Sequence, residues 1–226
     1  GFSIVKWTGD GSASATVGHG LSGTPDFIML KDLTEVGGWN GAQVGLASNE
    51  GIGLQSSAAA FTGMGGNGGI TYANLSATNF GFATGSSGVD SVNKNGNQYI
   101  AYCWKSVAGF SKMGSYNGSG SDGNAVPVGF EPSWVMIKRS NSTGGWLMFD
   151  SARSPSNPVN DRLEANNNSA EQTGSTSKFV DFNATDFEAN GSDSELNASG
   201  ETYIYMAFKE NPSTPAAIPT GEVAYL

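Results

Sequence analysis

The sequence predicts an all-β protein: two tandem, similar β-sandwich units of jelly-roll or lectin-like type with a tight interface. Three observations predict it. Apolar residues fall in short runs, and no stripe of helical period extends beyond about two turns. Of 226 residues, 33 are glycine and only 14% are charged, which suits many short strands joined by turns. Blocks in the first half recur in the second in the same order, the signature of an internal repeat.

The repeat is read block by block. Gly1–Ser3 (GFS) recurs as Gly109–Ser111, and Trp7–Gly11 (WTGDG) as Tyr116–Gly120 (YNGSG). Pro25–Lys31 (PDFIMLK) recurs as Pro132–Lys138 (PSWVMIK), an offset of 107 residues. Gly37–Trp39 matches Gly144–Trp146, and Asn79–Phe80 matches Asp186–Phe187, at that same offset of 107. Gln98–Lys105 (QYIAYCWK) matches Thr202–Lys209 (TYIYMAFK) at an offset of 104.

Each block reads as a strand. Phe2–Trp7 is rich in β-formers and stops at the turn signal Gly9–Gly11. Phe27–Leu30 and Trp134–Ile137 are continuous apolar runs, too short for helices, and are expected to be central strands covered on both faces. The closing runs alternate. Ile100, Tyr102 and Trp104 share one face, as do Ile204, Met206 and Phe208, and this large set is expected to face the core, with Ala101 and Cys103 opposite. Gly63–Gly69 (GMGGNGG) and Ser154–Ala170 are expected to be long loops, the second with one helical turn. No linker separates Tyr99–Lys105 from Gly109–Met113, so the units are placed at 1–108 and 109–210 with a fixed interface. Asn211–Thr220 holds three prolines, so 211–226 reads as an extended tail.

Charge and residue chemistry exclude several functions. The formal net charge is −9 and the 11 basic residues are scattered, so neither nucleic acid nor an anionic membrane surface is an expected partner. No run approaches the ~18 apolar residues that span a bilayer. The single cysteine, Cys103, excludes an intrachain disulfide and a Cys-based zinc site, and its apolar run makes it a small buried hydrophobe. The single histidine, His19, sits in a Gly turn without a counterpart in the second half, which points to a structural role. Asp181, Asp186, Glu188, Asp193 and Glu195 lie in polar Gly/Asn-rich surroundings and read as solvated loop acids. The glycine cluster lacks the Lys-Ser/Thr of a phosphate loop. No catalytic residue, cofactor or metal site is therefore expected; Asp10, Asp122 and Asp193, in Gly/Ser/Asn turns, are no more than a weak calcium signal.

Binding remains. Trp39 and Trp146 each follow a Gly-Gly pair, and are either exposed platforms for a sugar ring or core residues opening a strand; Trp146–Phe149 (WLMF) favours burial for the second. The loops without a counterpart in the other half are where specific binding is expected. Asn67 and Asn167 in them complete a candidate ligand-binding set with Trp39 and Trp146.

Nearly the whole chain up to about Pro212 resembles a repeated domain of marine phage tail-fibre and other virion-associated proteins of the cyanophage type. The resemblance rests on Gly1–Val5, Val17–Leu21, Tyr99–Cys103, Val107–Lys112, Gly114–Tyr116, Gly129–Pro132, Val135–Arg139, Phe149–Arg153 and Tyr203–Phe208. It implies a virion or extracellular setting and no particular chemistry. The expected function is a phage structural protein, a tail-fibre or appendage module contributing to host-surface attachment. Its expected partners are other virion proteins, a second copy of itself or a host-surface glycan. The alternatives are an architectural virion component, such as a capsid decoration, and a carbohydrate-binding module of a larger protein.

Overall fold

A computed structural model describes residues 1–62, 68–85 and 88–210. Over these the chain is all-β. In order, the strands are β1 (Phe2–Thr8), β2 (Val17–Gly18), β3 (Phe27–Asp32), β4 (Asn40–Gln43), β5 (Glu50–Gly51), β6 (Phe61–Thr62), β7 (Asn79–Phe80) and β8 (Gln98–Trp104). They continue as β9 (Ser111–Asn117), β10 (Asn124–Pro127), β11 (Trp134–Arg139), β12 (Trp146–Asp150), β13 (Arg162–Glu164), β14 (Phe179–Phe182), β15 (Asp186–Asn190) and β16 (Thr202–Phe208). Helix among the described residues is confined to a 3-10 turn at Tyr72–Asn74 and one α turn, α1, at Asp90–Asn93.

Both larger sheets are antiparallel, and the four strands of the first recur in the same order in the second, which adds a fifth at one edge. The first runs β1-β8-β3-β4; the second, read from β9, runs β9-β16-β11-β12-β13. In each, the opening strand pairs with the closing strand, which in turn pairs with the apolar run. The smaller sheets also correspond: β2 pairs with β7, and β10 pairs with β15, which carries β14 on its other side.

The turn before each closing strand is braced in the same way. Tyr99 donates its hydroxyl to the Asp90 carbonyl at 3.1 Å and accepts the Lys94 N–H at 2.9 Å. Tyr203 donates to the Ser194 carbonyl at 2.8 Å and accepts the Ala198 N–H at 3.0 Å. A buried asparagine fills each turn. Asn93 donates to Asp10 Oδ1 and the Ser12 carbonyl, and Asn197 to the carbonyls of Ser121 and Gly191. The Trp7–Gly11 and Tyr116–Gly120 blocks need glycine here. A Cβ on Gly9 would sit 2.2 Å from the Lys94 carbonyl oxygen, and one on Gly118 2.1 Å from that of Ala198.

Apolar side chains gather in three layers. Ile28, Leu30, Ala101 and Cys103 of the first large sheet pack with Ile70, Phe80, Phe82, Val89 and Val92. Val135, Ile137, Leu147, Phe149, Tyr203, Tyr205 and Ala207 of the second pack with Val126, Val180, Phe182, Phe187 and Ala189. The third layer draws on both halves of the sequence, with Phe27, Leu46 and Ile52 meeting Met113, Met136, Trp146, Ile204 and Met206. Phe27 lies stacked 6.4 Å from Trp146. Gln43, itself buried, donates to the carbonyls of Gly114 and Tyr205 at 2.9 and 3.1 Å. The fully buried Lys138 donates to the Ser57 carbonyl at 3.3 Å.

Two expectations are corrected here. Ile100, Tyr102 and Trp104 do not line the innermost layer of the first half; Tyr99, Ala101 and Cys103 do, fully buried, while the larger set is half-buried on the opposite face. The reason is the third layer: Trp104, with Phe27 and Met29, turns toward Met113, Met136 and Trp146. Ile204, Met206 and Phe208 face the same layer. Ser154–Ala170 is not a plain loop and holds no helical turn. β13 lies within it, Met148 pairing with Leu163 and Phe149 with Arg162. The continuous runs behave as expected: Phe27, Ile28 and Leu30, like Val135, Met136 and Ile137, are buried on both faces. The extended tail expected at 211–226 lies outside the described residues, as does most of the glycine cluster.

Candidate functional site

A cleft of about 460 Å³ is lined by Trp39, Leu54, Gln55, Ala165 and Asn166–Asn168. Trp39 is half-buried just before β4 and rests on Tyr102 at 5.9 Å between ring centroids. Its backbone N–H donates to Gln55 Oε1 at 2.7 Å. The paired glycines make room for that amide, since a Cβ on Gly38 would lie 2.1 Å from Gln55 Nε2.

Ala165–Asn168 form the opposite wall, held by the second Gly-Gly-Trp block. The Trp146 N–H donates to Asn166 Oδ1 at 2.7 Å, the counterpart of the Trp39–Gln55 bond. The two equivalent blocks thus send their amide partners to one cleft. Asn167, exposed, accepts the Ser169 N–H at 2.9 Å through Oδ1 and donates to the Glu164 carboxylate. Among the described residues no Lys or Arg lines the cleft, whose lining is one indole, an aliphatic patch and four amides.

Of the four residues expected to bind ligand, the structure brings Trp39 and Asn167 together. Trp146 is not an exposed platform. It is 2% exposed, with its indole N–H donated to the Gly53 carbonyl at 3.1 Å, and it lies behind the cleft wall. Asn67 lies outside the described residues. Gln55 and Asn166 escaped sequence reading because they follow their tryptophans by 16 and 20 residues, which breaks the repeat's register. The run Asn166–Asn168 was the available signal for one side.

Residues 1–212 match a family described as a domain of unknown function (DUF7483). The chain belongs to the DUF7483 family. No curated protein and no solved structure matches it.

Several titratable groups of this DUF7483 chain are held in structural contacts. The Cys103 thiol is fully buried, and burial pushes it up to about 11, so it stays protonated at neutral pH. His19 is buried, accepts the Leu21 N–H at Nδ1 (3.1 Å) and lies 3.2 Å from the Ser76 carbonyl at Nε2, which therefore carries the proton. Burial pulls the Glu195 carboxyl upward, but the Lys178 ammonium and the Gly145 N–H outweigh it and hold it below the usual carboxylate value. Asp10, Asp122 and Asp193 each accept a turn N–H. Among the described residues no three His, Cys, Asp or Glu side chains converge as a metal would need, and no helix is long and apolar enough to cross a membrane.

Proposed function

We propose that this chain is a non-enzymatic virion component, a tail-fibre or appendage module that holds a host-surface saccharide in the Trp39 cleft. One observation carries the reading: a half-buried tryptophan and four amides converge where the two halves of the sequence meet. An indole face stacks on the apolar face of a pyranose ring, and amides both donate to and accept from its hydroxyls. The absence of a lining cation among the described residues favours a neutral sugar over an acidic one.

The architecture that goes with this reading is two tandem β-sandwich units, divided near residue 108, with a tight interface. The shared order of four strands in the two large sheets supports it, as does the apolar layer drawing Phe27 and Ile52 against Met113 and Trp146. The resemblance to cyanophage virion domains supplies the setting, and other virion proteins are the natural neighbours.

A glycan array followed by titration calorimetry tests the site. Binding of a neutral glycan that Trp39→Ala and Gln55→Ala abolish, with the fold retained and the melting temperature lowered by no more than about 5 °C, is the expected result. An array without signal, or binding indifferent to both substitutions, overturns the reading.

A further inference from the structure

β1 forms an edge of the first large sheet, and among the described residues its only strand partner is β8. The phase of that ladder fixes where its polar groups point. Gly1 and Lys105 exchange both bonds: the Gly1 amine donates to the Lys105 carbonyl and the Lys105 N–H returns to the Gly1 carbonyl at 2.8 Å. At the other end the Gly9 N–H donates to the Asn97 carbonyl at 2.8 Å. Bonded and non-bonded pairs alternate along an antiparallel ladder. Ser3, Val5 and Trp7 are therefore the residues bonded to β8, and the N–H and C=O groups of Phe2, Ile4, Lys6 and Thr8 point out at the open edge.

The side chains of these residues are also uncovered. Phe2 is 53% and Ile4 58% exposed, on the face shared with Tyr102 and Trp104. Sheet edges are ordinarily protected by proline, a bulge or several charges. Phe2–Thr8 (FSIVKWT) has an unbroken register of seven pairs, no proline and one charge. β9, the corresponding edge of the second large sheet, instead exposes Lys112, Ser115 and Asn117.

We infer that β1 is an association edge that pairs antiparallel with β1 of a second copy of this chain, about a two-fold axis at Ile4. The strand is self-complementary in that register. Ile4 faces its own equivalent, Phe2 faces Lys6 of the other copy, and the outward groups of Phe2, Ile4 and Lys6 satisfy one another in about six hydrogen bonds. The Phe2 ring then lies beside an ammonium. The uncovered patch is also continuous with the buried layer that joins the halves. Ring centroids run from Phe2 to Trp104 at 5.3 Å, to Phe27 at 5.6 Å and to Trp146 at 6.4 Å. Pairing extends that layer across the axis and makes one eight-stranded sheet from two four-stranded ones. A two-fold contact closes on itself and yields a dimer, not a fibre.

Sedimentation velocity on the full chain over a range of micromolar concentrations tests this. The wild type is expected to show a monomer–dimer equilibrium. Phe2→Lys, which sets like charges opposite one another, weakens it roughly tenfold or more. The double variant Phe2→Lys/Lys6→Glu restores it, because opposite charges then face each other across the axis. Ser115→Lys on β9 leaves it unchanged. Ile4→Pro removes only an outward N–H and also dissociates the dimer, providing a second route should Phe2→Lys lower the melting temperature. A wild type monomeric throughout, a dimer indifferent to Phe2→Lys and Ile4→Pro, or no rescue by the double variant overturns the inference.

Discussion

Tyr99 and Tyr203 occupy equivalent places 104 residues apart, and each hydroxyl bridges the carbonyl nine residues before it and the N–H five before it. Both rings are fully buried. Phenylalanine at either position removes two part-buried hydrogen bonds, each worth about 0.5–1.5 kcal/mol, so each Tyr→Phe change is expected to cost about 1–3 kcal/mol in urea unfolding. Gly118→Ala should add a comparable loss, because its Cβ meets backbone instead of a movable side chain.

The two Gly-Gly-Trp blocks should separate by stability. Trp146→Ala empties a buried site and breaks the indole bond to Gly53, for an expected loss of about 3–5 kcal/mol. Trp39→Ala, from a half-buried position, should cost roughly 1 kcal/mol. Thermal unfolding of the two variants side by side checks the difference.

Lys138 gives a pH signature. Burial lowers its ammonium to about 8 from an ordinary 10.5. Between those values the unfolded chain holds the extra proton, so stability should rise with pH from about 8 toward 10 and gain nothing below 8. Tyr99 and Tyr205, raised by burial to about 12, act in the opposite sense, and their contribution is lost as pH climbs from 10 to 12. Lys138→Met should flatten the rising limb between pH 8 and 10 in chemical denaturation.

Cys103 should be silent toward disulfide reagents in the native protein and react once per chain in guanidinium. Its thiol is fully buried and pushed up to about 11 by that burial. A native-state reaction faster than global unfolding would contradict the packing described for β8.

Much of the scaffold was legible in the sequence because repetition marks strands that must be buried. Phe27–Leu30 and Trp134–Ile137 sit in central strands, and the closing runs form the strands between them and the edges. Which face of β8 lies innermost was not legible. Alternation shows that Tyr102 and Trp104 share a side, but a sheet with packing on both sides can turn either set inward, and nothing local distinguishes the two. The cleft was half legible. Trp39 and Asn167 stand out by type and loop position, whereas Gln55 and Asn166 are defined by bonds to backbone N–H groups brought near only by folding. β13 was hidden because its three residues, Arg162–Glu164, are too few and too polar to register as a strand.

The apolar layer drawn from both halves carries a row of sulfur. Met113 lies opposite Met206, Met206 opposite Met136 and Met136 opposite Met148, four of the six methionines of the chain in register across four adjacent strands. Thioethers are flexible enough to conform to whatever lies across the layer. They are also oxidisable, and a sulfoxide is polar. Under peroxide the row is therefore where oxidation should unsettle the layer. Peptide mapping of peroxide-treated protein is expected to find Met148, the least buried of the four, oxidised first, with loss of the folded state following only when its three neighbours are reached.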